Sequence, residues 1–216
     1  MSVLAAILAI ALTWPLAARL GSAGRIEVGD ARYSIWNIAW VAHALTTAPT
    51  TLFNANIFYP SKNALAFSES NLVAGVLAIP VWLATGNPLA AGNWAILCAF
   101  TMTGIATYVL ILRLTQNRIG AAIGATIFTY SPYAFSHLAH IQLLMTFGLP
   151  LVLLALHAFV ESPRTSRAVW LGVALAVQAL ACGYYGLFAG LMATLGILWF
   201  GAFDGLGRSR GYWLRA

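Results

Sequence analysis

The sequence predicts an all-α fold, a polytopic membrane helix bundle of about six spans with interfacial helices in its first outer loop. Three observations predict it. Of 216 residues, 61% are hydrophobic and only 7% charged, where a soluble domain carries roughly 25%. The apolar residues gather into runs near the length that crosses a bilayer. No charged side chain stands in the middle of any such run. An ionisable group there costs about 2.5–3.5 kcal/mol and marks an ion path, so the pattern argues against a proton- or sodium-coupled transporter. The internal repeat that transporters show is not found either.

A mean hydropathy of +0.84 makes this an integral membrane protein. The net charge of +6 then speaks of orientation and not of nucleic acid, because Lys and Arg collect on the cytoplasmic side. Membrane lipids are the expected surroundings. Cys98 and Cys182 lie in apolar runs with no CxxC or nearby His spacing, which reads as two buried free thiols.

Taken in order, residues 3–20 form the first span. Val3–Leu12 has the length of a signal-peptide core and small residues follow at Ala17 and Ala18. No basic region precedes it, however, and Trp14-Pro15 stands where cleavage would occur, so an uncleaved anchor is expected. Either reading delivers residue 21 to the outer side. Residues 21–91 are then an outer loop. Within it, 31–46 carry Tyr33, Trp36, Trp40 and His43 on one helical face, which suits a helix lying on the membrane surface with Asp30 as its N-cap. Residues 47–70, rich in Thr, Asn, Ser and Pro, read as loop. Residues 71–86 are apolar but short, contain Pro80 and end in Thr85-Gly86-Asn87-Pro88. They read as a second interfacial helix that does not cross.

Five further spans are expected at 92–112, 119–135, 141–160, 168–182 and 185–203, with 204–216 as a cytoplasmic tail. The last two are divided at Gly183-Tyr184-Tyr185-Gly186, where paired Gly and polar-tipped aromatics suit an interface turn. With 71–86 turned back, Arg113, Arg118, Arg164, Arg167, Arg208, Arg210 and Arg215 all fall on one side. The alternative, in which 71–86 crosses, moves Lys62 and three more Arg to that side and sets Asp30 opposite the 136–140 loop.

The residues that could carry chemistry cluster on the other side. Asp30 could act as general base or hold a divalent metal, or simply cap a helix. Glu69, within Ser68-Glu69-Ser70, again resembles a helix start. Glu27 is assigned no role. His137 and His140, three apart at the opening of a span, could share a face toward a metal or phosphate. A metal would need a third ligand from a distant segment such as Asp30, and interfacial anchoring is the plainer role. Gln142 follows them, while His43 and His157 read as packing residues. Asn54, Asn56, Tyr59 and Lys62 offer groups that could hold hydroxyls or phosphates, though turn chemistry explains the Asn equally. No nucleophile elbow, P-loop or dinucleotide spacing occurs.

Four features together resemble the membrane glycosyltransferases of the GT-C fold, in particular enzymes similar to the protein mannosyltransferases and aminoarabinose transferases. A short first span leads to Gly29-Asp30-Ala31-Arg32-Tyr33. Interfacial helices follow in that loop. A span ending in Leu112-Arg113-Leu114-Thr115 then meets a small-residue span and Ser131-Pro132-Tyr133. Last comes the polar cluster His137 to Gln142. The resemblance implies transfer of a sugar from a polyprenyl-phosphate donor to an acceptor on the outer face of a bacterial inner (plasma) membrane. It gives Asp30 the role of activating the acceptor or engaging a divalent metal. Lining of the substrate site would fall to His137, His140, Gln142, Glu69, Asn54, Asn56, Tyr59 and Lys62. The chain departs from the pattern in having no second acid at 31–34, and His137, His140 and Gln142 where some relatives carry an Asp. It also matches only the amino-terminal portion of such enzymes, so it is expected to be an incomplete enzyme, or one needing a partner subunit that supplies further spans. The rival expectation is a non-catalytic membrane protein, a lipid transporter or an assembly subunit, which would tolerate Asp30→Asn.

Overall fold

The computed structural model describes residues 2–24, 29–203, 205–208 and 210–215. Glu27 and Arg25 lie outside them, as do the side chains of Arg208 and Arg210. The chain is all helical, with 77% of it in helix and no strand among the described residues. Eleven α-helices follow in order among the described residues. They are α1 (Ser2–Leu12), α2 (Asp30–Thr47), α3 (Leu72–Thr85), α4 (Pro88–Thr115), α5 (Arg118–Thr129) and α6 (Pro132–Ser136). After these come α7 (Ile141–Leu144), α8 (Gly148–Glu161), α9 (Thr165–Ala181), α10 (Gly183–Phe203) and α11 (Arg210–Trp213).

Three stretches are long and apolar enough to cross a membrane: Pro88–Thr115, Ile141–Glu161 and Gly183–Phe203. Ser2–Leu12, Leu72–Thr85 and Thr165–Ala181 are apolar but shorter. The expected span 119–135 is interrupted. Helix α5 stops at Thr129, and at roughly 1.5 Å per residue its twelve residues reach only ~18 Å. Ser131-Pro132 explains the stop, since Pro supplies no amide hydrogen and its ring disfavours a helical residue before it; the Ser131 hydroxyl instead caps the next short helix at the Ala134 amide.

Helix α4 is the axis of the bundle and packs against α1, α2, α3, α5 and α8. Its sequence permits that because its inner faces are small. Ala90, Ala91, Gly92, Ala95, Ala99, Gly104 and Ala106 are all buried, and small residues let helix backbones approach. Two tight turns fold neighbours onto it. Gly86 at φ +60° closes α3, Asn87 caps α4 by accepting from the amides of Leu89 and Ala90, and Asn117 caps α5 in the same way at Gly120.

The contacts at the two ends differ in kind. At one end Arg113 pairs with Glu161, Arg215 donates to the carbonyl of Pro163 and Arg167 to that of Ala158. At the other, both ends of α3 are held by the segments around Asp30: Asn37 donates to the Glu69 carbonyl just before α3, and Asn87 donates to the Gly21 carbonyl just after it. Because Arg113 and Glu161 are half exposed, 50% and 49%, their pair is worth little. Glu161→Gln is expected to change stability by less than about 1 kcal/mol, checked by thermal unfolding of the purified protein in detergent.

Candidate functional site

Helix α2 builds the site, through a face the aromatic spacing does not mark. Asp30, Ser34, Asn37 and Val41 recur at intervals of four, three and four along it, so they form one stripe. Each reaches a different segment. The Ser34 hydroxyl donates to the Ala139 carbonyl at 2.9 Å. The Asn37 amide donates to the Glu69 carbonyl at 2.8 Å. Val41 fills the space beside Gly75 of α3. At the head of the stripe, His140 Nε2–H donates to Asp30 Oδ2 at 3.0 Å across 110 positions of sequence.

Asp30 is the first residue of α2 and not its cap. The cap position is Gly29 at φ +102°, and no side chain bonds there. A residue with a Cβ rarely adopts that backbone, so Gly29 sets the angle at which the helix, and with it the carboxylate, leaves the preceding chain. The carboxylate is 76% exposed and its His140 partner 37% exposed. With Oδ2 occupied by His140, Oδ1 is left toward solvent. Beside it runs an open groove of about 590 Å³ lined by Tyr33, Phe58, Ser61, Phe67 and Ser68. Phe58 and Phe67 stack at 6.2 Å to form one wall.

His137 and His140 do not share a helix face. Pro132–Ser136 ends before them, and the chain turns through 137–140 before α7 begins. Their rings nonetheless lie 6.2 Å apart. His137 Nδ1–H donates to the Tyr133 carbonyl at 2.8 Å and the ring lies 4.1 Å from that of Tyr133, which points Nε2 away from the backbone. The Tyr133 hydroxyl meets that of Tyr185 at 3.0 Å. Glu69 precedes α3 but does not cap it; Asn71, buried and left-handed at φ +48°, occupies that position without a side-chain bond. The Glu69 carboxylate instead accepts from the Gly183 amide at the start of α10, at 3.4 Å, where a helix N-terminus favours negative charge.

The loop residues divide. Asn56 Oδ1 accepts from Trp36 Nε1 and Asn54 Oδ1 from the Asn63 amide, so both hold the loop in shape. Tyr59 and Lys62 are exposed, and Tyr59 stands 97% free of contact. Gln142 Oε1 is buried without a partner among the described residues. His43 packs edge-on against Trp82 at 6.0 Å, and His157 lies 6.3 Å from Phe200. Cys98 and Cys182 are free thiols. Among the described residues no group of three His, Cys, Asp or Glu is placed to hold a metal ion. One carboxylate and one imidazole bonded to each other do not fit a protein-held divalent site, which takes more ligands. Sequence reasoning missed Ser34, Asn37, Tyr133 and Tyr185; the polar 30/34/37 spacing was the signal for the first two.

No curated protein matches the chain, and no solved structure does. A family model described as "Domain of unknown function (DUF6311)" matches residues 3–211, and the chain belongs to that family.

Proposed function

We propose that this chain belongs to a membrane glycosyltransferase that moves a sugar from a polyprenyl-phosphate donor to an acceptor at the outer face of the bacterial inner membrane. The observation that carries the reading is the Asp30–His140 pair, formed by segments 110 positions apart at the mouth of an open groove. A lone exposed carboxylate is common; one fixed in place by an imidazole and aimed into a cleft is an arrangement for proton transfer.

The chemistry balances without further groups. An acceptor hydroxyl attacks the sugar's anomeric carbon, and its proton passes to Asp30 Oδ1. The bond from that carbon to the donor phosphate oxygen breaks, its electron pair staying with the lipid phosphate. His140 keeps the carboxylate in the geometry for attack, and His137, when protonated, meets the departing phosphate through Nε2. The leaving group already stores the driving force, so positioning and charge stabilisation remain for the protein to supply. The Tyr133–Tyr185 pair lines an apolar cavity of about 390 Å³, which shares Phe128 and Leu149 with a second apolar cavity of about 490 Å³; the two together suit a hydrocarbon tail.

The reading needs six spans, with α3 turned back on the outer side and the Arg113 end facing the cytoplasm. Cysteine labelling tests that arrangement. In a Cys98→Ser, Cys182→Ser background, Ser61→Cys, exposed on the loop before α3, is expected to react with a membrane-impermeant maleimide added outside cells, and Thr115→Cys only after the inner face is opened. Labelling of Ser61→Cys from the inside alone, the result a crossing α3 would give, would refute it.

A further inference from the structure

The opposite face of α2 carries a second groove, separate from the one beside Asp30. It has a volume of about 680 Å³ and its walls are Trp36, Trp40 and Trp82, with Arg32, His43 and Asn56 among its polar groups. Two of the indoles have their N–H tied down, Trp36 to Asn56 Oδ1 at 3.0 Å and Trp40 to the Leu52 carbonyl at 2.8 Å. The third is braced by His43, whose ring meets Trp82 edge-on and lies 6.0 Å from Trp40. The rings therefore present flat faces in fixed positions.

We infer that this groove binds a saccharide, and that the acceptor of the reaction is itself a carbohydrate chain. The inference rests on the glycosyltransferase reading and names its acceptor class. Aromatic faces cover the apolar C–H faces of sugar rings, while polar groups at the edges meet the hydroxyls. The groove offers both, with the Asn56 amide and the Arg32 guanidinium as donors. A hydrocarbon tail could pack on the indoles but would leave the Asn56 amide and the Arg32 guanidinium unused. Its position agrees as well. It is built by α2, the end of α3 and the start of α4, at the end of the bundle that holds Asp30 and away from the Arg113 end. Continuity agrees too. Tyr33 lines the Asp30 groove and Trp36 lines this one, and the two rings lie 5.4 Å apart; Asn56 and Phe58 divide in the same way between the two. A chain of sugars lying across Trp36 would bring its end to Asp30.

The test is a glycan array probed with the full chain in lipid nanodiscs. Binding of the chain to a set of oligosaccharides is expected. Glu161→Gln, at the Arg113 end and outside both grooves, should leave that binding unchanged, Trp82→Ala should weaken it about tenfold, and Trp82→Phe, which keeps an aromatic face, should retain most of it. No glycan held, or equal binding by Trp82→Ala, would overturn the inference. A parallel measurement uses nanodiscs of brominated phospholipid, whose bromines quench nearby tryptophan. Quenching that falls selectively on removal of Trp82 would place lipid in the groove and would also overturn it. Because binding is read without turnover, loss of the saccharide site and loss of the transferase reading appear as separate results.

Discussion

Asp30→Asn, introduced in the full-length protein, is expected to abolish sugar transfer, with a loss of roughly 10²–10⁴-fold or more. The substitution keeps the size and polarity of the side chain but removes its capacity to take a proton. Asparagine Oδ1 can still accept from His140 Nε2–H, so the contact across 110 positions survives and the fold is expected to survive with it. The measurement is transfer of labelled sugar from the polyprenyl-phosphate pool to acceptor in membrane vesicles, beside thermal unfolding of the same variant. Unaltered transfer would sink the assignment of Asp30, and with it the enzyme reading, since no other exposed carboxylate lines that groove among the described residues. His140 acts through Asp30 and is a positioning residue. His140→Gln, which can still donate to Oδ2, is expected to retain more activity than His140→Ala, and the difference should lie in kcat more than in KM because the acceptor's binding contacts are elsewhere.

The helical class was legible because it follows from composition. With 7% charge, helices are the economical way to bury backbone polar groups in lipid. The interval holding Asp30 was legible for a related reason, since acidic residues are scarce enough in this chain for each to stand out. Their partners were another matter. His137 and His140 were visible as a pair, but the pairing that forms is His140 with Asp30, and its cause is the turn after Ser136, which a helical reading of 137–142 conceals. Helix α2 shows the limit most plainly. Its Trp and Tyr spacing is the louder signal and describes a groove face, whereas the quieter 30/34/37 stripe, of an acid, a Ser and an Asn, makes the tertiary contacts that assemble the site. Side-chain size governs the loud signal, while hydrogen-bond partners from distant segments decide the quiet one, and a single sequence does not display those partners.

The glycines of Gly183-Tyr184-Tyr185-Gly186 were read as a turn, and their actual work leads to the second large effect, Gly186→Ala. The chain breaks only at Cys182, and α10 already begins at Gly183. Gly186 is thus inside a helix, where Ala is intrinsically favoured by about 1 kcal/mol. Packing opposes that gain. A Cβ on Gly186 would stand 2.5 Å from Ala179 Cα and 3.1 Å from the Ala179 amide nitrogen of α9. Backbone cannot step aside by changing rotamer, so α9 and α10 must separate, and overpacking of this kind costs typically 1–3 kcal/mol. The steric term is expected to win, with net destabilisation of about 1–3 kcal/mol seen as a lowered Tm in detergent. Gly190→Ala is the control. It lies one turn further along the same helix with nothing within 4 Å of its Cβ position, so it is expected to be neutral or stabilising by up to about 1 kcal/mol. The separation has a consequence at the site as well. Glu69 is held by the Gly183 amide, and the Glu69 carbonyl is held in turn by Asn37, two turns along α2 from Asp30. Shifting the start of α10 therefore pulls on the helix that aims Asp30, and Gly186→Ala is expected to lower transfer where Gly190→Ala does not. Equal stability of the two variants would show that α9 and α10 do not meet at Gly186 as described.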